Sequence, residues 1–264
     1  MKTLGIIGAG NMGSALIQGW EQDQSLCLKV YDKEPDKLRT MTEQYRIIPC
    51  NYSQEAVLGC ECILVGVKPL QIKEVLTDIA ASLGPDQCLI SIAAGIPQKK
   101  LTKWIQGQCP VVRVMPNTPA LIGSGVFGLC FDDHNLADFH KGLIRSLFQK
   151  LGSVHVLEES LFDAFTALIG SGPAYVFYFL EGLIEAGVTL GLTRSETTEM
   201  VIRLFSGSVS LVEKSHMSIS QLREQVCSPA GTTITGVNEL DRRGVRGAII
   251  DSVDAACRRS VELK

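Results

Sequence analysis

The chain has 264 residues, 45% hydrophobic and 20% charged, with a formal net charge of -3. That length allows two domains of ordinary size with at least one buried core, and it excludes a small scaffold dependent on cross-links. The mildly acidic balance offers no basic field to attract nucleic acid or anionic lipid, so neither is expected as a partner.

From Thr3 to about Leu157, short runs rich in Val, Ile and Leu alternate with amphipathic stretches. Residues 4–7, 28–31, 63–67, 89–92 and 111–115 read as buried parallel strands, and their alternation with helical stretches predicts an open, doubly wound α/β sheet. Residues 125–130, a helix near 135–150 and a run at 154–157 add one or two further strands, whose direction the pattern leaves open. After Leu157 strand-like runs vanish and helical periods follow one another to the C-terminus. The expected division is therefore 1–157 for the sheet domain and 158–264 for an all-helical domain. Capping signals recur in the second part: Ser160 with Asp163, Thr193 with Glu196, and Ser218 with Gln221.

Two uncharged stretches invite a membrane test. Residues 114–131 carry Pro116 and Pro119, while 164–180 contain Gly170-Ser171-Gly172-Pro173 and fall short of about 20 apolar residues, so neither is expected to span a bilayer. The nine cysteines are scattered and form no paired C-x-x-C ligand set, which suits small buried apolar residues in a reducing compartment. Glycines interrupt the apolar run after Met1 too soon for a signal peptide, and the expected location is the cytoplasm.

The sharpest motif is Gly8-Ala9-Gly10-Asn11-Met12-Gly13, which follows the first predicted strand and opens a helical run to about Glu21. In this context G-x-G-x-x-G is a dinucleotide fingerprint and makes the sheet domain Rossmann-type. Gly8 allows the tight turn, Gly10 lets a pyrophosphate approach the backbone, and Gly13 lets helix and strand pack closely. Asp32 ends the second strand, where a carboxylate accepts from the adenosine ribose and repels a 2′-phosphate, favouring NADH. Lys33, Lys37 and Arg39 lie nearby and offer a 2′-phosphate positive partners if Asp32 turns away, favouring NADPH. A structural alternative is that Asp32 caps the next helix. Three further segments end predicted strands at the carboxyl edge: Val67-Lys68-Pro69, Ser91 to Gly95 with Ala93 and Ala94, and Met115-Pro116-Asn117. Lys68 and Asn117 are read as lining the nicotinamide end of the cleft, against the alternative of turn-forming residues beside proline.

Near the C-terminus, Ser228-Pro229-Ala230-Gly231-Thr232-Thr233 lies between two predicted helices. A small-residue turn at a helix start presents free N–H groups and hydroxyls, which suit a carboxylate; ordinary capping by Thr232 or Thr233 is the competing explanation. His134, His140, His155 and His216 lack metal-ligand spacing, so no metal is expected, and no hydrolase elbow, P-loop or H-E-x-x-H motif occurs.

With these segments in their order and spacing, including Gly170-Ser171-Gly172-Pro173-Ala174-Tyr175 and residues 226–233, the chain resembles the pyrroline-5-carboxylate reductases over nearly its full length. The resemblance implies reduction of the cyclic imine 1-pyrroline-5-carboxylate to L-proline by NADPH or NADH. It implies that Ser228, Gly231, Thr232 and Thr233 hold the substrate's carboxylate and ring nitrogen, with Thr233 nearest the nitrogen and the catalytic candidate. It also implies a helical dimerisation domain and an intertwined homodimer, assembling into larger rings such as a decamer, with one subunit's substrate loop facing another's nucleotide domain. Two departures stand out. Ala230 replaces a glycine common in the family, which is tolerable unless the backbone there needs positive φ. Asp32-Lys33 differs from the family's usual pairs at that strand end. A β-hydroxyacid dehydrogenase-like oxidoreductase and a non-catalytic nicotinamide-sensing protein are the alternative readings.

Overall fold

The computed structural model describes residues 1–263. It contains two compact units, one formed by Met1–Ser171 with the C-terminal residues from Ala256, the other by Gly172–Ala255. The first is built on strands β1 (Lys2–Ile7), β2 (Leu26–Tyr31), β3 (Ile48–Pro49), β4 (Cys62–Val65), β5 (Cys88–Ser91), β6 (Val111–Met115), β7 (Gly125–Cys130) and β8 (Gly152–Val156). They form one sheet in the order β3-β2-β1-β4-β5-β6-β7-β8. Pairings from β3 through β6 are parallel; β7 runs antiparallel to β6, and β8 parallel to β7. The very short β3, which the sequence pattern did not mark, contains Pro49 and sits at the sheet edge, where a missing N–H is tolerated.

Helices α1 (Asn11–Trp20), α2 (Pro35–Gln44), α3 (Ile72–Ile79), α4 (Gln98–Trp104) and α5 (Asp138–Gln149) fill the connections. Side chains alternate across the sheet, so successive residues enter different cores: Ile6, Leu64, Ile90 and Val112 join Trp20 and Phe148, while Ile7, Val65, Leu89 and Val111 join Ile72, Leu76 and Leu101. Burial on both faces is why the central strands are continuous apolar runs. Trp20 satisfies its polar atom inside the core, its indole N–H donating to the Leu147 carbonyl at 2.8 Å.

Residues through Ser171 belong with the sheet unit, beyond the change of pattern after Leu157. Tertiary contacts explain the difference. Buried Arg113 of β6 pairs with Glu159 at 2.8 Å and lies 4.7 Å over the ring of buried Phe162, and a Cβ on Gly128 would stand 3.0 Å from the Phe165 ring. The cap expected at Ser160 is not formed. Its hydroxyl donates to Glu158 at 3.4 Å, and a 3-10 turn at Glu159–Leu161 leads into the single-turn α6 (Phe162–Phe165) and then a π turn at Thr166–Gly170.

The second unit contains α7 (Gly172–Thr189), α8 (Arg194–Lys214), α9 (Ile219–Val226), α10 (Thr232–Arg242) and α11 (Val245–Glu262), the last ending in the first unit. Thr193 caps α8 by accepting from the Glu196 N–H, and Ser218 with Gln221 forms the reciprocal capping box of α9, as their spacing predicts. The helical run Glu159–Thr189 passes through Gly170-Ser171-Gly172-Pro173 instead of stopping there. By length and composition it is apolar enough to cross a membrane, longer than the sequence reading allowed.

Candidate active site

The direction in which strands are added reverses at β1: β2 and β3 lie on one side, β4 onward on the other. At the carboxyl ends of β1 and β4 a crevice of about 390 Å3 opens, the place where open α/β sheets take ligands. Gly8 turns the chain out of β1 at φ 96°, and a Cβ there would lie 2.8 Å from Val67 Cγ1. Gly13 permits close packing, since its Cβ would meet the Gly8 carbonyl oxygen at 2.2 Å. Above Gly10 the space is open, with no atom within 4 Å of a Cβ placed there. Gly10 is also the N-cap of α1 without a side-chain cap, so the N–H groups of the first helical turn have no partner within the helix. Open space above bare N–H groups fits a pyrophosphate.

Asp32 is the electrostatic centre of the crevice. Its Oδ2 accepts the Ala9 N–H at 2.7 Å and lies 3.6 Å from Lys37 Nζ, while Oδ1 accepts the Glu34 N–H at 3.0 Å. Its side chain is only 8% exposed. The carboxylate is thus turned toward the glycine turn and compensated by a lysine. It does not cap α2, whose N-cap is Glu34. Gly8, Gly10, Asp32, Lys33, Val67 and Lys68 all line this crevice.

Other expected residues lie outside its lining. Asn11 is exposed at the start of α1, Met12 packs against the core, and Pro69 begins a 3-10 turn. Ala93 and Ala94 follow β5, the first buried and the second half-buried. Asn117 is buried, with its amide engaged by the protein: Oδ1 accepts from Val126 N–H at 2.9 Å and Nδ2 donates to the Ile169 carbonyl at 3.4 Å. Lining residues absent from the sequence reading include Tyr31, Ser53, Gln71, Glu74 and Asp78. Gln71, the N-cap of α3, with Glu74 and Asp78 on that helix recur at i, i+3 and i+7, a polar stripe visible in the sequence; Ser53, in a loop, carries no such signal.

In the second unit, the Gly231 N–H donates to the Ser228 carbonyl at 3.0 Å, closing a β-turn with Pro229 and Ala230 at its centre. Ala230 adopts φ 56°, the left-handed conformation the sequence left as a condition. Gly231 is the N-cap of α10, again without a side-chain cap, so neither Thr232 nor Thr233 caps the helix. A Cβ on Gly231 would stand 2.3 Å from Ser228 Oγ. Among the described residues, none bonds to the hydroxyls of Ser228, Thr232 or Thr233, which therefore stand beside free first-turn N–H groups.

A sequence model of the family described as "Pyrroline-5-carboxylate reductase dimerisation" matches residues 159–263, and one described as "NADP oxidoreductase coenzyme F420-dependent" matches residues 3–95. The chain is 34% identical to the pyrroline-5-carboxylate reductase of Corynebacterium melassecola, over 100% of this chain and 99% of that protein. Among solved structures, Plasmodium falciparum pyrroline carboxylate reductase with NADP bound superposes at TM-score 0.90 with 32% identity, covering 99% of this chain and 98% of that one. The Coxiella burnetii enzyme superposes at 0.91 with 29% identity, covering 100% and 98%. Similarity of this extent, running through both the nucleotide crevice and the helical dimerisation domain, places the chain in the pyrroline-5-carboxylate reductase family.

Proposed function

We propose that the protein reduces 1-pyrroline-5-carboxylate to L-proline with NADPH or NADH, as the last step of proline biosynthesis in the cytoplasm. The observation that carries this reading is the turn at 228–233, where three hydroxyls without a partner among the described residues accompany the free first-turn N–H groups of α10. A small planar imine has little apolar surface, so its carboxylate must supply most of the binding, through charge-assisted bonds worth about 1.5–3 kcal/mol each. Ser228, Gly231 and Thr232 hold that carboxylate. Thr233 orients the ring nitrogen and its proton.

A protonated C=N bond is already electrophilic, so the protein needs to align two planar rings more than to supply a strong acid. Reduced nicotinamide, when bound, supplies hydride from C4 to the imine carbon. Gly8, Gly10 and Gly13, with Asn11 and Met12, cradle the pyrophosphate. Asp32 and Lys33 meet the adenosine ribose, and Val67, Lys68, Pro69, Ala93 and Ala94 border the path to the nicotinamide. The helical unit forms the homodimer, ten copies assemble as a decamer, and the substrate turn of one subunit serves the nucleotide domain of another. A β-hydroxyacid dehydrogenase would need a lysine from the helical domain, and none occurs between Leu157 and Ser210.

The test is to mix the protein with 1-pyrroline-5-carboxylate and follow oxidation of NADH and NADPH separately. Thr233→Ala is expected to lower kcat more than it raises KM. Gly231→Val, whose Cβ would collide with Ser228, is expected to raise KM steeply while cofactor affinity stays near that of the parent. No turnover would remove the function; parent kinetics in both variants would remove the site.

A further inference from the structure

Ile169 has an unusual carbonyl. The residue four positions on is Pro173, which has no N–H to donate to it, and the helix here leaves α geometry for the π turn Thr166–Gly170, closed by the Ser171 N–H on the Thr166 carbonyl at 2.9 Å. That carbonyl therefore lacks the i+4 donor an α-helix would give it, and in a half-buried residue a second donor that reaches it adds stability. The donor is Asn117 Nδ2 at 3.4 Å, from a residue only 7% exposed at the carboxyl end of β6. The other end of the same amide accepts the Val126 N–H where β7 begins. The π turn is also packed directly on this strand end, since a Cβ on Gly170 would lie 2.6 Å from Met115 Cε.

We propose that Asn117 is a positioning residue that replaces the N–H missing at Pro173, pinning the π turn to the carboxyl end of β6 and fixing that strand end for catalysis without touching cofactor. The catalytic consequence rests on the reductase reading above; the bond to Ile169 does not. The amide geometry explains why asparagine suits the position: one group must accept from a strand and donate to a helix at once.

A double-mutant cycle tests it. Asn117→Asp keeps an oxygen for Val126 but removes the donor to Ile169, and Pro173→Ala restores a helical N–H for that carbonyl. Alone, Asn117→Asp is expected to lower kcat by about tenfold and to lower Tm, with KM and the fluorescence-titrated NADPH Kd within about twofold. In the Pro173→Ala background the same change is expected to shift kcat and Tm by no more than about twofold and a third of the original drop, respectively. Equal losses in both backgrounds would overturn the proposal, as would a weakened NADPH Kd at unchanged Tm, which would put Asn117 on the cofactor. If Asn117→Asp does not fold alone, the double variant is expected to fold, and its failure would also overturn the proposal. Should the parent protein show no turnover, the reductase reading fails, while the Tm cycle still decides the Asn117–Ile169 bond.

Discussion

A carboxylate at the end of β2 would ordinarily mark a preference for NADH, yet Asp32 has its charge met by Lys37 and by two backbone N–H groups. Two opposed effects follow from its removal. Asp32→Ser eliminates a like charge and releases Lys37, so kcat/KM for NADPH is expected to rise relative to NADH, while loss of the Ala9 bond loosens the glycine turn and weakens both cofactors. Calorimetry with fragments isolates the discriminating group: Lys37→Gln is expected to weaken 2′,5′-ADP by about tenfold and leave 5′-ADP nearly unchanged, the size of one charge-assisted bond. Equal weakening of both fragments would place the 2′-phosphate elsewhere. Asp23 illustrates a different use of charge. A hydrogen bond from Lys150, then bonds from the Ser25 hydroxyl and N–H, hold its carboxyl down at about 2 against an ordinary 3.8. Because the folded value is the lower one, its stabilising contribution is complete above about pH 4 and is lost as pH falls toward 2. Asp23→Asn is expected to flatten the stability profile across that window, as read by denaturant unfolding at stepped pH.

The turn between α9 and α10 shows how one element balances strain against geometry. Proline at its second position suits such a turn, but the third requires positive φ, which glycine adopts freely and alanine does not. Left-handed geometry costs a Cβ-bearing residue about 1–2 kcal/mol, and glycine's larger unfolded-state entropy offsets about 0.5–1 of that. Ala230→Gly is therefore expected to stabilise the protein by about 0.5–1 kcal/mol in denaturant titration, the opposite sign to a glycine replacement within a helix. A loss of stability would mean that the methyl group packs on a partner in the assembled protein.

At the scale of the whole molecule, the helical unit is short of a core. Within Gly172–Ala255 only Gly187, Thr197 and Val201 are buried among the described residues, whereas Phe177, Tyr178, Leu183, Leu204 and Leu211 are exposed, Tyr178 at 76%. Helices with so much apolar surface complete their core against another chain, and this is the segment matched by the dimerisation family. Sedimentation at micromolar concentration is expected to give a dimer or larger species. A compact, active monomer would contradict both the oligomer and a site shared between subunits.

The central strands were legible because burial on both faces leaves an uninterrupted apolar run, and the glycine fingerprint because its residues answer to backbone geometry within one turn. Thr193 and Ser218 were equally readable, since a cap bonds three residues away. What lay beyond local reach was decided by the tertiary fold. The antiparallel setting of β7 rests on its pairing with β6, and the retention of 158–171 with the sheet on partners such as Arg113 and Glu159, far apart in the chain and joined at 2.8 Å. The orientation of Asp32 toward Ala9 and the commitment of Asn117 to Val126 and Ile169 are likewise non-local. Sequence determined which groups stand at the carboxyl edge because strand endings are local; only the folded chain determined whether each group faces the crevice or is bonded within the protein, because that depends on which distant donor or acceptor reaches it first.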